Sequence, residues 1–233
     1  LGTEFYYCVA TGCNTTQSGI ATQHVFRNYY SKASATDFND VASWGINTDG
    51  TGTAPTTIDN TGAFIIQNNS QMTLSANATV RALTINAGKL TVVSNTLTIS
   101  IANQNNTELN VTNGGTLEVT GGSIVLNGAA YFADGSGLTQ SGGLIVLNPS
   151  SGAGATSIGG TNSTNIAFGI GYAAGSAASS ISTSANVLKF NCTGGTIQIV
   201  DPAASTNAGV ASFAYQASGG NVVFGPNHTV KFG

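Results

Sequence analysis

The 233-residue chain carries 6 Lys and Arg against 9 Asp and Glu, so only 6% of its residues are charged and its net charge is −3. An ordinary soluble domain is roughly 25% charged, and the shortfall excludes both a charge-laced coiled coil and a cationic surface for nucleic acid. With 41% hydrophobic residues the chain is too apolar for charge-driven disorder, and no apolar run approaches the ~20 residues that span a bilayer, so membrane insertion is not expected.

The first residues, LGTEFYYCVATGC, lack the basic and apolar regions of a signal peptide; a signal has been removed or the chain starts at a processing site. A disulfide between Cys8 and Cys13 is expected, closing a short loop in an oxidising exterior and leaving Cys192 as the odd thiol. The alternative is three buried free thiols acting as small hydrophobes. Residues 1–62 read as a separate segment, holding five of the acids and the single Trp. Tyr6, Tyr7, Tyr29, Tyr30 and Trp44 are the candidate assembly or docking residues. The same aromatics, with Phe26, also read as a hydrophobic plug over the first coil, or as a sugar-stacking platform. Asp37, Asp40 and Asp49 are candidate calcium ligands, since with Asn39, Asn47 and backbone carbonyls they offer the six to eight oxygens calcium takes. No other cofactor is expected. These acids also read as Asx and Gly turns bracketing Trp44.

From residue 63 to 233 short segments with apolar residues at alternate positions recur: ALTI (82–85), KLTV (89–92), TLTI (96–99), ELNV (108–111), TLEV (116–119) and SIVL (123–126), then more loosely LIVL, TIQIV, NVVF and TVKF. Alternation is the period of a strand. Leu83, Leu90 and Leu97 lie seven apart, as do Leu117 and Ile124, with residues tolerant of positive φ between them. Two or three such strands make a coil of about 20 residues, the scale of a solenoid repeat. The outward positions are small Thr, Ser and Asn, able to stack on their like in the next coil. The expected fold is therefore all-β, a parallel β-solenoid (β-helix) with an N-terminal capping segment, and a β-sandwich is the alternative. Residues 150–186 interrupt the pattern. The closing strand, NHTVKFG, stops without a cap, so further repeats or another copy of the chain are expected to cover it.

The run from Asn39 to Pro55, ND-x-x-SWG-x-N-x-DG-x-G-x-x-P, resembles a segment near the start of large Bacteroidetes surface proteins, many of them exported by the type IX secretion system and built from β-solenoid repeats. The downstream GKLTV, GTLEV and GTIQIV units are similar to such repeats in style. The resemblance implies secretion, residence at the cell surface, and an adhesive or structural role.

Chemistry-bearing constellations are sparse. His24 and His228 lie far apart with no zinc-ligand spacing around them, and GIGYAAG (169–175) lacks the βαβ setting of a dinucleotide fingerprint. A polysaccharide-active β-helix enzyme needs clustered carboxylates. Between residues 82 and 233 the acids are only Glu108, Glu118, Asp134 and Asp201, of which stacking can bring Glu108 near Glu118. No enzymatic activity is expected. The expectation is an extracellular structural or adhesive protein that assembles with copies of itself end to end or within a larger surface assembly. A glycan-binding module and a polysaccharide-active enzyme are the alternatives.

Overall fold

The structure is a computed structural model that describes residues 26–100, 107–127, 129–133, 135–147, 166–170, 181–183, 189–200, 211–215 and 222–233. Two strands, β1 (Arg27–Ser31) and β2 (Trp44–Gly45), precede a first set of three, β3 (Gly62–Ile66), β4 (Gln71–Thr73) and β5 (Ala78–Val80). The second set is β6 (Ala82–Asn86), β7 (Lys89–Val92) and β8 (Thr96–Ile99), and the third is β9 (Thr107–Thr112), β10 (Thr116–Val119) and β11 (Ser123–Leu126). A fourth comprises β12 (Ala129–Phe132), β13 (Gly137–Gln140) and β14 (Leu144–Leu147). Then come β15 (Ile166–Ile170), β16 (Ile181–Thr183), the long β17 (Lys189–Ile199), β18 (Ala211–Tyr215) and β19 (Val222–Phe232). The only helix among the described residues is one 3₁₀ turn, Val41–Ser43, whose first turn is capped by the Asp40 carboxylate accepting from the Ala42 amide.

From β3 to β11, each strand pairs with the strand three places on. β3, β6, β9, β12 and β16 form one column; β4, β7, β10 and β13 a second; β5, β8, β11 and β14 a third. β17 joins the last two columns into one sheet, because its first half pairs with β13 and its second half with β14. Apart from β1 with β2, every registered pair is parallel, which is not the antiparallel pairing of a β-sandwich. The chain is all-β, and its curled parallel sheets fit a β-helix or solenoid-like fold.

Register turns the alternating sequence into continuous apolar rows. Met72, Leu90, Leu117 and Leu138 share one row; Ala78, Leu97, Ile124, Ile145 and Ile197 share another. Every one of these side chains is buried, and each full burial of a large aliphatic side chain is worth about 1.5–3 kcal/mol. The rows also compensate in size. Ala130 follows Leu109 where its neighbour Phe132 follows Val111, so the small residue makes room beside the large one.

The bend between the second and third columns is repeated as Thr120-Gly121-Gly122, Ser141-Gly142-Gly143 and Thr193-Gly194-Gly195. Gly143 has φ +68, and a Cβ there would lie 2.3 Å from the Gly121 carbonyl oxygen of the coil beneath. Glycine is required because neighbouring coils touch backbone to backbone at this corner.

Candidate functional site

Three regions hold the residues singled out from sequence: the edge at β1 and β2, the outer polar face, and the edge at β19. At the first, β1 lies parallel to β3 and carries β2 antiparallel on its far side. The loop between them folds inward, placing Phe38 and Trp44 at 0% exposure against Phe64, with Trp44 edge-on to both rings at centroid distances of 5.3 and 5.0 Å. The indole Nε1–H donates to the Phe38 carbonyl at 3.0 Å, satisfying its one polar atom. Trp44 is thus packed in the interior and offers no docking surface. Tyr29 stacks on Phe64 at 5.4 Å and is half-buried, as is Tyr30, which pairs with Gly45. A buried hydroxyl pair, Ser31 and Ser70 (3.1 Å), ties this edge to the first set of strands, with the Gln67 amide donating to Ser31 and Ser70 donating to the Lys32 carbonyl. Tyr6, Tyr7, Cys8 and Cys13 lie outside the described residues.

The acidic candidates each serve a separate turn. Asp37 accepts from the Asn39 amide and the Ser75 hydroxyl, and Asp40 caps the 3₁₀ turn. Asp49 accepts from both the hydroxyl and the amide of Thr51, which hold its carboxyl below the usual range. Asp59, not singled out from sequence, is held low in the same way by Thr57 and Thr61. Among the described residues no three His, Cys, Asp or Glu side chains converge as a metal site. Asn39 instead spans the gap to the first set, its Oδ1 accepting from the amides of Ser75 and Ala76 at 3.0 Å each.

On the outer face, register aligns Thr73, Thr91, Glu118, Thr139 and Asn191 in one row, and Thr79, Thr98, Val125, Val146, Gln198 and Lys231 in another. The one ion pair among the described residues, Lys89 with Glu118 at 2.6 Å, lies here with Thr91 donating to the same carboxylate oxygen. The hydrogen bond from Lys89 is the main reason the Glu118 carboxyl is held below its usual range. Glu108 is in β9 and Glu118 in β10, consecutive strands of one coil in different sheets. Stacking therefore sets Glu118 beside Thr91 and Thr139 rather than beside Glu108.

Several interior groups depart from the apolar rule: Glu108, Ser136 and Gln140 are buried polar side chains, and Cys192 is a buried thiol. Gln140 continues the row Val92–Val119 at 0% exposure and is followed by Cys192. Its Nε2 donates to the Thr196 carbonyl at 3.1 Å, bracing one coil against the next. Cys192 is a free thiol, and burial pushes its pKa up to about 12. Gln140 escaped the sequence reading because GLTQ offers one inward apolar residue where alternation needs two; its partner lies 56 residues on.

At the far edge, β19 pairs with β17 and exposes Val223, Phe224 and Phe232. His228 Nδ1 donates to the Gly194 carbonyl (3.2 Å), and the ring stacks on Phe224 at 5.6 Å.

These features define an all-β chain of stacked parallel strands, apolar within and largely neutral and polar without. Comparison with protein-family profiles, curated proteins and solved structures finds no match.

Proposed function

We propose that this chain is an extracellular structural or adhesive element at a cell surface, its strands closing into a three-sided parallel β-solenoid that acts as a stiff spacer. The observation that carries this reading is the pair of in-register outer rows in which Thr, Asn and Gln predominate over charge. A uncharged polar ladder over buried aliphatic rows gives a rigid, soluble rod with little chemistry of its own. The Ser/Thr/Asn/Gly-rich composition and the resemblance of residues 39–55 to surface proteins of the type IX secretion class support placement outside the cell. Carboxylates spent on turns, or paired as Glu118 is with Lys89, speak against a hydrolase groove.

The test combines small-angle scattering with surface labelling of producing cells. An elongated particle and antibody access on intact cells are expected. A globular scattering profile, or antigen reached only after lysis, overturns the reading. A glycan array run beside it separates spacer from lectin, since a spacer retains no sugar selectively.

A further inference from the structure

We propose that Asn113 is a self-modifying residue, losing its side-chain amide to attack by the Gly114 backbone nitrogen and leaving aspartyl and isoaspartyl products, at a rate set by Asn86 of the coil beneath. The inference rests on the corner between β9 and β10 and stands whether or not the surface role holds.

β9 ends at Thr112 and β10 starts at Thr116, so Asn113, Gly114 and Gly115 make the whole corner. The Gly115 amide donates to the Thr112 carbonyl at 2.8 Å, with φ +52 at Asn113 and +80 at Gly114. Two positive φ values inside such a bond are those of a type I′ turn, for which Asn-Gly is a preferred pair. The same pair is prone to imide formation, because glycine has no side chain to obstruct its own nitrogen. Asn113 and Gly114 are both exposed. A Cβ at Gly114 would meet nothing nearer than the Gly135 carbonyl oxygen at 3.9 Å, whereas one at the buried Gly115 would lie 2.3 Å from the Ile85 carbonyl oxygen. The reactive peptide thus stands on the solvent side of a corner that is fixed beneath it.

The chemistry balances with water alone. A solvent base takes the Gly114 amide proton, and the nitrogen attacks Cγ of Asn113. The new N–Cγ bond closes a succinimide, the Cγ–Nδ2 bond breaks, and Nδ2 leaves as ammonia with a proton from solvent. Water then opens the ring at either carbonyl: at Cγ it leaves aspartate on a normal backbone, and at the main-chain carbonyl it leaves isoaspartate. Nothing is oxidised or reduced. In the folded chain Nδ2 donates to Asn86 Oδ1 at 2.6 Å, and this bond ties down both the leaving amide and the side-chain torsions that attack requires to turn. The aspartyl product suits the corner. Counting on from Phe132, the register partner of Val111, the next coil carries Asp-Gly at 134–135 where this one carries Asn-Gly. The isoaspartyl product instead lengthens the corner by one backbone atom.

The test ages the folded chain in mildly alkaline buffer, cleaves it after glutamate, and follows the 109–118 fragment by tandem mass spectrometry. That fragment is bounded by Glu108 and Glu118 and excludes the other Asn-Gly pair, at 127–128, while fragment ions separate Asn113 from Asn110. Conversion of Asn113 to both aspartyl and isoaspartyl forms is expected. Asn86→Ala should speed it by roughly two- to tenfold, the worth of one hydrogen bond, with an unchanged far-ultraviolet circular dichroism spectrum. Asn86→Asp keeps the oxygen acceptor and should convert at the wild-type rate. No conversion at Asn113, conversion without an isoaspartyl form, or equal rates in wild type and Asn86→Ala each overturn the proposal.

Discussion

Gly143 shows how tightly single residues are constrained where coils meet. A methyl group there lies 2.3 Å from a carbonyl oxygen and demands φ +68 of an L-residue, so Gly143→Ala should cost roughly 2–4 kcal/mol in chemical denaturation. An exposed alanine elsewhere in the sheet has no such contact. Gln140 is the interior counterpart. Replacing it by Ala removes the hydrogen bond to Thr196 and leaves space in a packed row, and a loss of about 2–4 kcal/mol is expected. Trp44 gives a direct optical check. As the single Trp of the chain, fully buried and bonded to the Phe38 carbonyl, it should emit at shorter wavelength in the native state than in urea and resist iodide quenching. A native spectrum like that of the unfolded chain would contradict its burial.

At the scale of elements, strands were legible where two apolar residues alternate. KLTV, TLTI, TLEV, SIVL and LIVL coincide with β7, β8, β10, β11 and β14 to the residue, because an inward Leu or Ile two places from another leaves the pleat no choice of face. β4 and β5 were not legible, since QMT and ATV are three residues long and hold too little pattern. Parallel pairing was suggested by the small outward Thr, Ser and Asn, since seven-residue spacing alone suits antiparallel hairpins too, whereas the merging of two columns through β17 depends on a partner 52 residues from Ile145 and leaves no local trace. The candidate sites were less legible than the strands. Residue type marks Trp44 as large and apolar without telling interior from surface, and Asp37, Asp40 and Asp49 look alike whether they gather round an ion or close three turns. Among strand residues, Phe132 carries a distinct expectation. It is fully buried beside the smaller Ala130, so Phe132→Ala should cost about 3–5 kcal/mol, read as a lowered denaturation midpoint with cooperative unfolding retained.

At the scale of the whole molecule, a chain with 6% charge has few groups through which pH can act. Asp49, Asp59 and Glu118 are held below their ordinary range, so the stability they contribute is present above about pH 4.5 and disappears as pH falls through their lowered values. Cys192 works from the other side. Its protonated form is favoured up to about 12, so its contribution is complete below its ordinary value of 9.0 and is lost as pH rises from there. Urea midpoints should therefore stay level between about pH 5 and 8 and decline on both sides, and Cys192→Ala should soften the alkaline decline; a slope across the neutral range would point to a titrating group not accounted for here. The stack also tolerates unequal connections. A single residue, Arg81, separates β5 from β6, while seven separate β8 from β9, and yet Leu83 and Leu109 remain in register. Chain length at that corner is thus decoupled from the ladder, much as a hinge pin ignores the width of the door. Peptides spliced between Ser100 and Thr107 should therefore leave the pairing of Leu83 with Leu109 in place, read as an unchanged urea midpoint of the grafted chain.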